Sequence, residues 1–209
     1  MIICCIGDSL TEGDHGIKGV KGVANVTPIS YPYFLAKMTG AEVRNFGKCG
    51  WRSSDMLRWY QDGGLDLRDA DIVILMLGTN GGQSENGTSP EDRAYIRLAE
   101  LILKDAAKAK LVLCTPPNAT VNPEYSNCGY APQVAEAAAF VRKLAAEKGL
   151  PLIDLAASKR ITPETEDVLQ GNDGLHFTDE GYRVLAEEIL AGLKEVTGSF
   201  SGNGRAVLP

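Results

Sequence analysis

The sequence predicts a three-layer α/β domain built on a parallel sheet of about five strands. Three observations predict it. Short apolar runs alternate along the whole chain with longer stretches of helical periodicity. One of those runs, Ile72-Val-Ile-Leu-Met-Leu77, is apolar without alternation, as a central parallel strand covered on both faces requires. A chain of 209 residues suits one domain and buries about 70% of its unfolded surface.

Strands are expected at 2–6, 42–46, 72–77 and 111–115, with a short fifth at 151–154. Helices are expected at 31–38, 54–60, 90–108, 131–148 and 179–196. Ser89 precedes Pro90, Glu91 and Asp92, which is the order of an N-cap, a first-turn proline and acidic residues at the positive end of a helix. Thr178 before Asp179 and Glu180 gives the same signal. The helix from Pro90 is expected to align Ile96, Ala99, Leu103 and Ala107 on one face. Gly149 reads as a C-cap, and Pro151 blocks any continuation. The domain is expected to fill residues 1–197. The Gly-, Ser- and Asn-containing stretch 198–209 has little periodicity and is expected to form a flexible tail.

Composition excludes several classes. The net charge of −6 disfavours a nucleic-acid partner, because tracking phosphates needs clustered Lys and Arg. No apolar stretch approaches the roughly 20 residues that span a bilayer, so no membrane association is expected. The chain does not open on a basic segment followed by a long apolar one, and a cytoplasmic location is expected. The five cysteines (4, 5, 49, 114 and 128) are odd in number and lack ligand-like spacing; most are expected to be reduced core residues. With two histidines, the chain offers no set of three or four converging zinc ligands, and neither a metal nor an organic cofactor is expected.

Chemistry-bearing residues gather at the carboxyl ends of the expected strands, where open parallel sheets bind ligands. Gly7-Asp8-Ser9 follows the first, Asn45-Phe46-Gly47 ends the second, and Gly78-Thr79-Asn80 follows the third. A late loop carries Asp173-Gly-Leu-His176. The strand fixes the position of Ser9, and Gly7 lets the chain turn sharply to expose its hydroxyl. That hydroxyl becomes a nucleophile only when a base takes its proton. His176 suits the task, and Asp173, three residues earlier on a Gly174 turn, can hold its tautomer. Read alone, Ser9 also fits a helix N-cap and His176 a solvated loop residue. Asp8 braces the turn on this reading, and His15 is an ordinary solvated loop residue.

An oxyanion would meet the backbone N–H groups of Ser9 and Gly47 and the amide of Asn80. Asn80 fits equally a plain turn residue in Thr-Asn-Gly-Gly. Lys48, Trp51 and Arg52 either wall a substrate pocket or form a solvated helix entry with one packed Trp.

Four segments together make the chain resemble the SGNH hydrolases, the flavodoxin-like branch of the GDSL esterases and lipases: Gly7-Asp8-Ser9-Leu10, Asn45-Phe46-Gly47, Gly78-Thr79-Asn80 and Asp173-Gly-Leu-His176. The resemblance spans about residues 2–196. It implies a flavodoxin-like fold, Ser9 as nucleophile, His176 as base, Asp173 as its partner, and Ser9, Gly47 and Asn80 as the oxyanion hole. It implies a small-molecule ester substrate and hydrolysis through an acyl-enzyme. A short acyl group, such as an O-acetyl on a carbohydrate, is the first expectation. A lysophospholipase or thioesterase on a longer chain, or an acyltransferase with the same triad, are the alternatives; a non-enzymatic binding module would make the triad accidental. Many relatives place Asp after the asparagine, where this chain has Gly81 and Gly82, so the loop 81–87 is expected to lack that anchor.

Overall fold

The computed structural model describes residues 1–198 of the chain. Five strands form one sheet: β1 (Ile2–Gly7), β2 (Glu42–Gly47), β3 (Ile72–Met76), β4 (Lys110–Cys114) and β5 (Leu152–Ile153). All neighbours pair in parallel, in the order β2-β1-β3-β4-β5. The chain therefore steps from β1 to one side and then crosses to the other. The crevice this leaves at the carboxyl ends of β1 and β3 is where such sheets take their ligands.

Burial on both faces makes alternate strand residues serve two cores. Ile3 and Cys5 of β1, with Ile72, Ile74 and Met76 of β3, pack under α2 (Tyr31–Thr39) and α7 (Asp179–Thr197). Cys4, Ile6, Val73 and Leu75 face α3 (Ser53–Gln61), α4 (Pro90–Asp105) and α5 (Ala131–Lys148). The architecture is thus the three-layer α/β/α, flavodoxin-like one. β3 occupies the middle of the sheet and all five of its residues are buried, which is why its sequence shows no alternation.

Helix ends follow the local signals. Ser89 Oγ accepts Asp92 N–H and Asp92 Oδ2 accepts Ser89 N–H, a reciprocal box at the start of α4. Thr178 Oγ1 accepts Gly181 N–H, and Gly149 closes α5 with φ of 63°. Two one-turn helices are too short to show periodicity: α1 (Ser9–Glu12) and α6 (Glu166–Leu169).

The buried stripe of α4 differs from the expected one. Tyr95, Leu98, Ala99 and Ile102 face the core, Leu103 is 43% exposed, and the helix ends at Asp105 before Ala107 is reached. Tyr95 sets this rotation: its ring packs edge-on against Phe140 with centroids 5.5 Å apart. The loop 81–87 has its own anchor as well. Asp92, fully buried, accepts Ser84 N–H and Ser84 Oγ–H, and Gln83 Nε2 donates to Ser53 Oγ.

Cys4, Cys5 and Cys114 are buried, Cys49 and Cys128 partly so, and all five are free thiols. No described helix is long and apolar enough to cross a membrane. The tail expected at 198–209 lies, beyond Gly198, outside the described residues.

Candidate active site

The turn after β1 sets the serine. Gly7 pairs with Gly47 on one side and Met76 on the other. Its need for glycine is close approach rather than an unusual turn. A Cβ there would lie 2.0 Å from Thr11 Oγ1 and 2.6 Å from Met76 O. Asp8 caps α1 through Leu10 N–H and reaches across to the β3 loop, where its Oδ2 accepts Thr79 N–H at 3.3 Å. Asp8 thus braces the nucleophile turn against the Asn80 loop. Its carboxyl is fully buried, and burial pushes its pKa up to about 6 against the hydrogen bonds from Thr79 and Leu10.

Ser9, Asp173 and His176 meet on this edge. The Ser9 hydroxyl lies 3.0 Å from His176 Nε2, and Asp173 Oδ2 lies 2.7 Å from Nδ1. An ionised carboxylate only accepts, so Nδ1 carries the ring proton and Nε2 is left to accept from the serine. Asp173 Oδ1 takes the N–H groups of Leu175 and His176, and Asn127 Nδ2 donates to Oδ2 at 2.9 Å. Burial raises the Asp173 pKa, but these bonds and the facing imidazole outweigh it and hold the carboxyl below its ordinary range. For His176 burial acts downward, while the Asp173 bond and the charges of Asp173, Asp14 and Asp8 carry its pKa above the usual value.

The three residues open into a cavity of about 290 Å³, lined also by Asp14, Gly50, Asn80 and Asn127. Asn80 is positioned through side chain and backbone: its Nδ2 donates to Trp51 O at 2.9 Å and its backbone carbonyl accepts Arg52 Nε–H at 3.0 Å. One amide hydrogen is committed to Trp51, and the second is left for the cavity. The Ser9 N–H, at the first position of α1, has no intrahelical acceptor.

Gly47 does not reach this cavity. Its N–H is donated to Asn45 Oδ1 at 2.8 Å, and a Cβ on it would lie 2.1 Å from Glu12 N. The glycine is required by the packing of β2 on α1, which Asn45 ties further by donating to Thr11 O at 2.7 Å. Gly50, three residues on with φ of 75°, lines the cavity, and no acceptor for its N–H is found among the described residues. The backbone donor expected at Gly47 is therefore offered by Gly50. In the sequence the cue was the second glycine of Gly47-Lys-Cys-Gly50, which only the turn geometry distinguishes from the first.

Lys48, Trp51 and Arg52 do not line the cavity either. Lys48 sits over the Trp59 ring and 3.9 Å from Glu12, Trp51 packs edge-on against Trp59, and Arg52 holds the Asn80 carbonyl. Cys49 and Gly50 form that wall instead. His15 is buried at 6% exposure rather than solvated; its Nε2 meets Ile29 O and Thr27 Oγ1, each at 2.9 Å, and it anchors the loop after α1. Asn127 carried no recognisable signal in the sequence because it reaches the site from a loop remote from Ser9; Asp14 stands on the turn that follows Ser9, where nothing local records which way its carboxylate faces. Among the described residues no group of three or more His, Cys, Asp and Glu is placed to hold a metal ion.

A parallel flavodoxin-like sheet with serine, imidazole and carboxylate in series at its switch point defines the SGNH class of fold. The chain belongs to the GDSL-like Lipase/Acylhydrolase family, whose model matches residues 5–184. It is similar to the solved lipase/acylhydrolase from Enterococcus faecalis, with 25% identity over 93% of this chain and 95% of that one, and a TM-score of 0.67. The fold is shared with the M. smegmatis aryl esterase (22% identity, 91% and 98% covered, TM-score 0.71). It is shared too with a carbohydrate acetylesterase family member from Sinorhizobium meliloti (20% identity, 94% and 99% covered, TM-score 0.70). No curated protein matches the chain.

Proposed function

We propose that the protein is a serine esterase that hydrolyses small carboxylic esters through an acyl-enzyme on Ser9. The observation that carries this is the unbroken series Ser9 Oγ, His176 and Asp173, with contacts of 3.0 and 2.7 Å, opening into a cavity of about 290 Å³. In the first half-reaction His176 Nε2 takes the serine proton as Oγ attacks the acyl carbon. The tetrahedral oxyanion is met by Ser9 N–H, Gly50 N–H and the free amide hydrogen of Asn80. One such donor is worth about 2.7–4 kcal/mol of transition-state stabilisation. The imidazolium then returns its proton to the departing alcohol, and water repeats the sequence on the acyl-enzyme. Asp173 keeps its charge throughout and steadies the imidazolium.

The cavity volume supports a short acyl group, such as acetyl, carried on a compact alcohol such as a sugar or polyol. A second, apolar cavity of about 550 Å³ is lined in part by the same segment, 127–130. Asn127 and Tyr130 line the catalytic cavity, while Cys128 and Gly129 between them line the other, with Val121 and Ile161. This cavity favours, as a second reading, a longer acyl chain that crosses the segment.

A series of p-nitrophenyl esters from acetate to decanoate separates the two readings. A maximum at acetate supports the first, and a maximum at the long end supports the second. Ser9→Ala is expected to abolish labelling by a fluorophosphonate and to leave, at most, a residual rate of roughly 10³–10⁴ over water. Near-parental turnover by folded Ser9→Ala would remove the acyl-enzyme from the mechanism.

A further inference from the structure

A second carboxylate faces the catalytic imidazole from the substrate side. Asp14 follows the Gly13 cap of α1, and its backbone N–H donates to Ser9 O at 3.0 Å, so the nucleophile and Asp14 are held by one turn. Its two oxygens have different tasks. Oδ1 accepts Gly16 N–H at 2.9 Å and Asn25 N–H at 2.8 Å, closing the loop that walls the cavity with Val20 and Val23. Oδ2 stands 3.6 Å from His176 Nε2 and 3.6 Å from Cys49 Sγ. A thiol is a weak donor, and burial together with the Glu12 and Asp14 carboxylates keeps this one protonated. The side chain is only 5% exposed, yet it lines the cavity. A buried carboxylate oxygen with so little donated to it is costly unless a ligand completes it.

Its position says which ligand group does so. His176 Nε2 delivers a proton to the leaving alcohol, so the alcohol oxygen must sit against Nε2, and Oδ2 lies beside that point. Vicinal oxygens of a polyol are about one hydrogen-bond length apart. We propose that Asp14 is a specificity-determining residue that accepts a hydrogen bond from a hydroxyl on the carbon next to the esterified one. The enzyme then selects esters of polyols and sugars over simple alkyl esters, and the same charge excludes alcohols bearing a carboxylate there. This deepens the esterase reading above and rests on it.

Three acetates of matched shape test the idea: the primary monoacetate of propylene glycol, isobutyl acetate, and the acetate ester of β-hydroxyisobutyrate. They place hydroxyl, methyl and carboxylate at the same position. The parental enzyme is expected to rank them in that order by kcat/KM, with hydroxyl over methyl on the order of 10- to 100-fold, the range of a hydrogen bond to a charged group. Asp14→Asn keeps an oxygen for Gly16 and Asn25 but replaces the charged Oδ2 with a neutral amide donor, from which the hydroxyl oxygen can only accept, so the hydroxyl preference should fall roughly tenfold and the carboxylate ester should gain. Equal rates on the hydroxyl and methyl esters by the parent would overturn the proposal, as would a preference undiminished in Asp14→Asn. A uniform fall on all three esters would overturn it too, since it would mean that Asp14 acts only through the loop or the imidazole. Should Asp14→Asn fail to fold, the parental ranking decides, because a carboxylate tolerated as well as methyl contradicts a charged Asp14. Phenyl acetate is the control: its hydrolysis with no ranking among the three sinks this inference alone, whereas no acetate hydrolysis and no labelling of Ser9 sinks the esterase reading.

Discussion

Asp173 Oδ2 and His176 Nδ1 are 2.7 Å apart, and this contact sets both the tautomer and the charge preference of the imidazole. With the His176 pKa raised, the ring stays protonated to a higher pH than a free histidine and cannot accept the Ser9 proton below it. The acidic limb of kcat/KM should therefore rise through a value above the ordinary 6.5. Asp173→Asn should move that limb downward and reduce kcat by on the order of 10⁴-fold, the scale seen when a triad carboxylate becomes an amide. The same pairing stabilises the fold fully below pH 6.5 and is lost as pH rises through the higher folded-state value. His15→Ala should lower the melting temperature through the loop bonds to Thr27 and Ile29 and leave the limb in place. A limb that follows His15 would reassign the base.

Asn80→Ala separates chemistry from anchoring. The oxyanion exists mainly in the transition state, so loss of its donor should lower kcat on the order of 10²–10³-fold with little change in KM. The side-chain bond to Trp51 O disappears in the same variant while the backbone bond from Arg52 Nε remains, and a modest fall in melting temperature should accompany it. Preserved turnover per folded molecule beside that fall would leave Asn80 a structural residue.

Gly47 and Gly50 should fail in different ways. Gly47→Ala drives a Cβ to 2.1 Å from backbone that cannot swing aside, and thermal stability should drop by about 1–3 kcal/mol or more. Gly50→Ala meets nothing within 4 Å, and its left-handed φ of 75° costs about 1–2 kcal/mol. Relaxing that strain re-aims the N–H, so kcat should fall with KM nearly constant. Parental kcat in folded Gly50→Ala would take its N–H out of the oxyanion hole.

Asp8 gives the fold an unfavourable component of its own. Its folded-state pKa of about 6 lies above the unfolded 3.8, so the folded protein binds this proton more tightly. The resulting stability is complete below pH 3.8 and is lost as pH rises through about 6. Asp8→Asn lacks this loss. Its stability relative to the parent should climb by up to about 3 kcal/mol between pH 4 and pH 7, above any constant offset from the Thr79 contact. Denaturant melts at several pH values read the difference, and a pH-independent gap would mean that Asp8 titrates normally.

The sequence by itself determined the sheet and most of its helices. β1 and β3 are buried on both faces, and full burial leaves an apolar run that no surface segment imitates. Caps such as Ser89 and Gly149 act within a few residues, so they too are written locally. Ser9, Asp173 and His176 were legible because the carboxyl ends of parallel strands share one edge whatever the loops do. Tertiary structure decided the rest, since it depends on which groups face each other across the fold. Gly47 and Gly50 are alike as letters; Glu12, packed against one and absent from the other, makes the first a contact surface and the second a free donor. Lys48, Trp51 and Arg52 turned from the cavity because Trp59, Glu12 and the Asn80 carbonyl claimed them. Asp14 faces His176 across 162 positions of chain, a relation set by loop closure that no local pattern records.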